Sequence, residues 1–189
     1  MSRAAKFALA AWIVVLVGFG TWIFTRSDAA VIGGPFTLTD HNGRTVTEAD
    51  FKGKPTLIYF GFTYCPDVCP TSLLLMQTAV EQLGKDADRR LNMVFITVDP
   101  ERDTPEVLKD YVGNFGPTVL GLTGTPAQLT AAAKAFRVYY RKVESKDGAP
   151  YLMDHSSIFY LLDRNGRFVK HFTHQSKAED IAAAVKSLM

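Results

Sequence analysis

The chain has 189 residues, of which 47% are hydrophobic and 21% are charged, and its formal net charge is +2 at pH 7. Residues 1–26 hold three basic and no acidic side chains, which leaves 18 of the 21 basic residues and all 19 acidic residues in the remainder. A near-neutral domain lacks the basic surface that nucleic-acid-binding proteins carry, so we expect no nucleic-acid partner. The remaining length suits one domain with a full hydrophobic core.

The first predicted element is a membrane span over residues 7–24, which contain no charged side chain. About 17 to 25 apolar residues are needed to cross a bilayer. Arg3 and Lys6 precede this segment and only Arg26 closely follows it. Because cytoplasmic flanks carry the excess of Lys and Arg, residues 1–6 are expected in the cytoplasm.

The rest of the chain is then exported. We predict a linker over residues 25–34 and a domain over residues 35–189, held by a single-pass anchor on the periplasmic side of a bacterial inner membrane. The alternative is a cleaved signal peptide, since residues 27–29 contain a passable small-residue cleavage site. The apolar part of a cleaved signal is about 7 to 15 residues long, which favours the retained anchor.

The domain begins with a predicted hairpin over residues 35–46 that turns at residues 40–43. Thr47 is placed to cap a one-turn helix ahead of Phe51. The runs 56–60 and 93–98 are continuously apolar, which is typical of central strands covered on both faces.

A helix is predicted between these two strands, over about residues 71–83. Its expected buried face consists of Leu74, Leu75, Ala79 and Leu83. Two further helices are predicted from Thr104-Pro105 to Phe115 and from Thr125-Pro126 to Phe136, each with threonine as the cap and proline as the first helical residue.

The C-terminal part contains two predicted strands, 157–162 and 167–172, joined by a turn with the Asn165-Gly166 hairpin signal. A last helix is predicted over residues 177–188. The order strand, helix, strand, helix, helix, hairpin, helix indicates an α/β architecture. With a cysteine pair opening the first long helix, it matches the thioredoxin-like fold, a central mixed sheet flanked by helices, here with an N-terminal hairpin extension.

Cys65 and Cys69 are the only cysteines of the chain and directly follow the first central strand. Exported cysteines in even number usually form a structural disulfide. A bridge that closes so short a loop would stabilise the fold little, because the entropic gain grows with loop length. At the start of a helix both sulfurs can face one atom, and the helix dipole favours thiolates. The pair therefore indicates either a metal site or a redox-active dithiol.

His155 is the best candidate for a third ligand, since it lies in the predicted loop before the C-terminal hairpin, which faces the cysteine helix in thioredoxin-like folds. Two thiolates and an imidazole suit a soft monovalent ion such as Cu(I). Asp154 or a backbone carbonyl is expected to accept the other ring proton. His41, His171 and His174 are expected to be exposed.

Three other residues near the motif have open roles. Met93 and Met153 could offer thioethers to copper, although methionine in an apolar run is more often core filler. Asp67, inside the cysteine loop, is either a turn residue or an electrostatic influence on the thiolates.

Three separated motifs resemble the Sco/SenC family. They are Gly61-Phe62-Thr63-Tyr64-Cys65-Pro66-Asp67-Val68-Cys69-Pro70, then Val98-Asp99-Pro100-Glu101-Arg102-Asp103-Thr104, then Asp154-His155-Ser156. The resemblance covers residues 33–188. It implies a membrane-anchored, thioredoxin-like protein that binds copper, as Cu(I) or Cu(II), through Cys65, Cys69 and His155.

The resemblance also implies a role in assembling the dinuclear copper centre of cytochrome c oxidase. The expected partners are the copper-centre subunit, a copper-donating chaperone and a thiol reductant. On this interpretation the protein binds and transfers copper and is not a turnover enzyme. The main alternative is a thiol-disulfide oxidoreductase in which Cys65 and Cys69 are the redox pair. A thiol peroxidase and a copper or redox sensor are weaker alternatives.

Overall fold

The computed structural model describes Trp12, residues 32–144 and residues 148–189. The N-terminal segment 1–6, the span 7–24 apart from Trp12, and most of the linker 25–34 therefore lie outside the described residues. In the part of the chain that is described, no helix combines the length and the apolar character that a membrane crossing requires.

The described residues form a mixed α/β domain. Its strands, in chain order, are β1 (Thr37–Asp40), β2 (Thr45–Thr47), β3 (Thr56–Gly61), β4 (Asn92–Thr97), β5 (Val119–Thr123), β6 (Tyr140–Val143), β7 (Leu152–His155), β8 (Ile158–Leu162) and β9 (Phe168–Thr173). Its α-helices are α1 (Val68–Glu81), α2 (Ala87–Arg90), α3 (Pro105–Gly113), α4 (Pro126–Phe136) and α5 (Ala178–Lys186), and a 3₁₀ helix spans Glu48–Phe51.

Seven strands form one sheet in the order β2-β1-β5-β4-β3-β8-β9. The three central strands β3, β4 and β5 are parallel, whereas β1 and β8 join them antiparallel on either side. Strands β6 and β7 pair with each other in a separate two-stranded sheet. The mixed sheet and its flanking helices confirm the thioredoxin-like architecture.

The hydrophobic core lies on both faces of the central strands. Every residue of β3 is buried, and only Asn92 of β4 is not. Parallel strands need this apolar character because helices cover both faces of the sheet. Aromatic rings fill much of the interior beside β3, with the rings of Tyr59 and Phe159 4.9 Å apart and those of Phe60 and Phe136 5.5 Å apart.

Local signals in the sequence predicted several elements correctly. Thr104 Oγ1 accepts a hydrogen bond from Val107 N at 3.4 Å, and Thr125 Oγ1 accepts one from Gln128 N at 3.3 Å, so both threonines cap their helices as expected. Gly166 of the C-terminal hairpin has a φ of 78°, a conformation that glycine adopts without strain.

The predicted bounds of α1 and part of its predicted buried face were wrong. The helix begins at Val68, because Pro70 is tolerated in the first turn, where a missing N–H costs nothing. Leu74 is 53% exposed. Ala79 is buried as predicted, and Leu75 and Leu83 are partly buried against the core. The fully buried face is a stripe of i, i+3 and i+4 positions that starts at the second cysteine, namely Cys69, Ser72, Leu73, Met76, Ala79 and Val80.

The sequence analysis missed strands β5, β6 and β7. Gly121 interrupts the apolar pattern of β5, and it packs closely against α3, since a Cβ there would lie 3.2 Å from Leu108 Cβ. Strands β6 and β7 contain no buried residue and therefore lack the apolar alternation of a strand on a core. His155, expected in a loop, is the last residue of β7.

Candidate metal centre

The two cysteines lie at the carboxyl end of the central strand β3. Cys65 is in the loop before α1 and is partly exposed, whereas Cys69 is the second residue of α1 and is fully buried. The backbone N–H of Cys69 donates a hydrogen bond to Cys65 Sγ at 3.3 Å. No disulfide joins Cys65 and Cys69.

His155 reaches the cysteines from the hairpin formed by β6 and β7. Its Nε2 lies 3.4 Å from Cys69 Sγ. Its Nδ1 lies 3.3 Å from the carbonyl oxygen of Ser156, which accepts the other ring proton when Nδ1 is protonated. Of the two partners expected for this ring nitrogen, the structure shows the backbone carbonyl. The carboxylate of Asp154 instead binds Arg141 at 3.0 Å. This tautomer leaves the Nε2 lone pair facing the sulfurs.

Two aromatic rings hold the imidazole in place. Tyr59 and Phe62 both meet it edge to face, with ring centroids 6.2 Å and 5.8 Å away. Both residues come from β3 or directly follow it, so the central sheet supports the histidine as well as the cysteines. The sequence analysis predicted a contact with the imidazole for neither ring, because an apolar run does not show which of its side chains point to its end.

The candidate ligand atoms of Cys65, Cys69 and His155 all lie within 4.8 Å of one another. Among the described residues, no other three His, Cys, Asp or Glu side chains lie close enough together to hold a metal ion. Two thiolates and a neutral imidazole form a soft, three-coordinate donor set that suits Cu(I). The arrangement can also perform thiol-disulfide exchange, because both sulfurs are close and one is accessible.

The pKa values of the two thiols are shifted in opposite directions. A hydrogen bond from the Cys69 thiol lowers the pKa of Cys65 to about 4, with further contributions from His155 and backbone N–H groups, despite the opposing effect of burial. The same hydrogen bond, together with burial, raises the pKa of Cys69. One proton is therefore retained on the buried sulfur, and Cys65 is the thiolate at neutral pH.

Tyr59 and Gly61 both contact the sulfur of Cys69. Tyr59 Oη lies 3.9 Å from Cys69 Sγ, and burial raises the pKa of this phenol, which stays protonated. Gly61 packs against the same sulfur, since a Cβ on Gly61 would lie 2.9 Å from Cys69 Sγ. Tyr59 lies outside the cysteine motif, and no role was predicted for Gly61, which is the first residue of that motif.

The other candidate residues are not part of this group of three. Asp67 directly precedes α1 and accepts a hydrogen bond from Thr71 Oγ1 at 3.3 Å, and its backbone N–H contributes to the lowered pKa of Cys65. Met93 is buried in β4 and Met153 packs against the core, which supports the core assignment for both. His171 and His174 are exposed as expected.

His41 differs from the expectation that it is exposed. It is half-buried, and its Nδ1 accepts a hydrogen bond from Gly121 N at 3.0 Å. Burial lowers its pKa, so the ring is neutral and links the N-terminal hairpin to β5. This role depends on the missed strand β5, which explains why the sequence did not predict it.

Comparison with known proteins identifies the family. The family model SCO1/SenC matches residues 24–189. The chain belongs to the SCO1/SenC family. It is 47% identical over 160 residues to the SCO2-like protein of Rickettsia felis, an alignment that covers 84% of this chain and 78% of the relative.

Solved structures of Sco proteins have the same fold. Copper-bound ScoI of Bradyrhizobium japonicum superposes with a TM-score of 0.77 at 51% identity and covers 84% of this chain and 99% of that one. BsSco, described as a member of the Sco family of cytochrome c oxidase assembly proteins with a disulfide switch, gives a TM-score of 0.64 at 27% identity, covering 84% and 92% of the two chains.

Proposed function

We propose that this protein binds copper through Cys65, Cys69 and His155 and assists the assembly of the dinuclear copper centre of cytochrome c oxidase. The observation that carries the proposal is the convergence of these three ligand atoms within 4.8 Å. Copper is bound in the related ScoI structure, and another relative is named as an assembly protein of this oxidase.

The donor set is compatible with either oxidation state of copper. Two thiolates and a neutral imidazole leave one net negative charge around Cu(I) and none around Cu(II). The thiolate form of Cys65 is already favoured in the metal-free protein, so only Cys69 must lose its proton when the ion binds.

The proposed setting follows from the sequence. Residues 7–24 would anchor residues 35–189 through the linker 25–34 to the outer face of a bacterial inner membrane. The proposed partners are the copper-centre subunit of the oxidase, a copper donor, and a reductant that keeps the two cysteines reduced in an oxidising periplasm.

The test is an anaerobic Cu(I) titration of the reduced protein against a competing chelator, with wild type, His155→Ala and the control His171→Ala. We expect one tightly bound ion in wild type and in His171→Ala, because His171 is exposed on β9. Removal of a residue that only orients a metal ligand typically lowers metal affinity about 10 to 100-fold. Because His155 is itself a proposed ligand, His155→Ala should lower Cu(I) affinity by at least as much. Equal affinity in all three proteins would contradict the proposal.

A second candidate function is reduction of a client disulfide, favoured by the partly exposed thiolate of Cys65. In this reaction Cys65 Sγ attacks one client sulfur and forms a mixed disulfide, and the client's other sulfur leaves as a thiolate. Cys69, after giving up its proton, then attacks Cys65 Sγ and expels the second client thiolate. The client gains two electrons, and the protein is left with a Cys65–Cys69 disulfide.

The two functions differ in their need for the imidazole. A client with an intact disulfide, mixed with reduced wild type and reduced His155→Ala, separates them. Reduction of the client by both proteins, with weak and equal copper affinity, would favour disulfide exchange over copper binding.

A further inference from the structure

The turn that follows β4 contacts both segments that carry the candidate ligands. On one side, the buried carboxylate of Asp103 accepts hydrogen bonds from Thr63 N at 3.1 Å and Thr63 Oγ1 at 2.6 Å. Thr97 Oγ1, at the end of β4, donates to the same carboxylate at 2.5 Å. The loop that contains Cys65 is thereby fixed to the central sheet.

On the other side, Arg102 extends from this turn to the histidine hairpin. Its Nε donates to the buried carboxylate of Asp99 at 2.5 Å, and its Nη1 donates to the carbonyl oxygen of Tyr151 at 2.9 Å. The side chain is only 16% exposed. Tyr151 directly precedes β7, the strand that ends at His155.

The guanidinium group also lies between two aromatic rings. Its Cζ is 3.6 Å from the ring centroid of Tyr151 and 4.6 Å from that of Tyr64, the residue before Cys65. The Tyr151 hydroxyl donates to Asp99 Oδ1 at 2.8 Å, so the carboxylate holds both the arginine and the tyrosine. One planar cation thus touches the neighbour of Cys65 and the entrance of the strand that carries His155.

Side-chain contacts hold the hairpin to the rest of the domain, among them Tyr140 and Met153 against the core and this arginine contact. Strands β6 and β7 pair only with each other among the described residues, and none of their residues is buried. A stacked arginine suits this position, since its rigid plane binds two rings and a fork of acceptors with little loss of side-chain freedom. Lysine would keep the charge but lose the stacking and one hydrogen bond.

We propose that Arg102 is a positioning residue that holds the His155 hairpin against the cysteine loop and so sets the geometry of the Cys65, Cys69 and His155 ligand set. The inference deepens the proposed copper-binding function and rests on it for its effect on affinity. Its effect on the hairpin is a property of the metal-free protein and is measured independently.

The affinity test is a double-mutant cycle in the anaerobic Cu(I) titration, with Arg102→Met made in wild type and in His155→Ala. If Arg102 acts through the histidine, we expect Arg102→Met to weaken binding about 10 to 100-fold in wild type, the range for residues that orient a metal ligand. In His155→Ala the same substitution should have little effect. Equal losses in both backgrounds, or no loss in wild type, would overturn the inference.

Two further variants serve as a matched control and as a conservative substitution. Arg44→Met, which removes an arginine paired with Asp40 at 2.8 Å on the N-terminal hairpin, is the matched control and should leave the affinity unchanged. Arg102→Lys preserves the charge beside Asp99 and should show an intermediate loss, so the cycle can still be completed if Arg102→Met folds poorly. Full rescue by lysine would show that charge alone acts and would contradict positioning by the planar group.

The independent measurement is amide hydrogen exchange in the reduced, metal-free protein. Residues 152–155 should exchange faster in Arg102→Met than in wild type, while the amides of β3 and β4 keep their protection. Unchanged protection of residues 152–155 would refute the positioning role even if copper binds. Conversely, faster exchange in a protein whose wild type binds no copper would refute the proposed function and leave the positioning role standing.

Discussion

The two halves of the candidate metal centre are held in different ways. Cys69 is fully buried behind the central strand β3, where Tyr59 and Gly61 pack against its sulfur. His155 is carried by a two-stranded hairpin that has no buried residue of its own. Cys69 therefore belongs to the buried core of the fold, and His155 belongs to its periphery.

This difference in burial predicts which part of the site opens first. Segments with few buried contacts open at lower free energy than core strands do. We therefore expect the hairpin to move away from the cysteines more readily than α1 moves away from β3. Loss of the histidine ligand would then precede any rearrangement of the dithiol.

The largest expected effect concerns the acidity of Cys65. Its pKa is about 4, whereas an unperturbed thiol has a pKa of about 8.5. Alkylation of Cys65 in the reduced, metal-free protein should therefore stay fast at neutral pH and slow only as the pH falls toward 4. Because the folded-state pKa is lowered, the stabilisation from this thiolate is fully present above the unfolded pKa and is lost as the pH falls through the folded one.

Variants of this experiment compare the two halves of the site. The Cys69 thiol is the largest cause of the lowered pKa, and His155 contributes less. Cys69→Ala should thus raise the midpoint of the alkylation profile more than His155→Ala does. A larger shift in His155→Ala would show that the hairpin, and not the buried thiol, controls the reactive cysteine.

The same division explains how much the sequence could predict. The strands β3 and β4 follow from continuous apolar runs, and the caps of α3 and α4 follow from a threonine and a proline in adjacent positions. These signals are local, and the cysteine pair lies directly beside one of them. The cysteine half of the site could therefore be placed correctly on its elements.

For the histidine half, the sequence identified His155 as a ligand candidate but did not predict the strand that carries it. Nothing in Leu152–His155 shows the alternation of a strand on a core, so His155 was assigned to a loop. The contacts of Arg102 with Tyr64 and Tyr151 join residues far apart in the sequence, and no local pattern encodes them. The exposed face of α1 at Leu74 was misassigned because the stripe starts at a cysteine, which the apolar pattern did not include.

The second prediction concerns a substitution that crowds the buried Cys69. In Gly61→Ala the new Cβ would lie 2.9 Å from both Cys69 Sγ and Phe95 Cε2, and none of these groups can move easily in a packed core. We expect the free energy of unfolding to fall by about 1 to 3 kcal/mol, the usual cost of overpacking. Cu(I) affinity should fall as well, because the sulfur must shift. Urea denaturation and the chelator titration measure the two effects.

The control for this prediction is Gly113→Ala at the end of α3, where nothing lies within 4 Å of the added Cβ. Alanine there should be neutral or slightly stabilising, since glycine is the poorer helix former. If Gly61→Ala were as stable as Gly113→Ala, the packing of Cys69 against β3 would not be as tight as the structure shows.

The smallest expected effect lies in the hairpin itself. Arg141 on β6 stands opposite Asp154 on β7, with Nη2 and Oδ2 3.0 Å apart and the two side chains 63% and 56% exposed. Exposed ion pairs contribute little to stability and are screened by salt. Arg141→Ala should therefore leave the urea midpoint unchanged, while the amides of residues 152–155 exchange slightly faster at low salt and equally at high salt. A clear drop in the urea midpoint would show that the hairpin unfolds together with the seven-stranded sheet, and the two halves of the site would then share one stability.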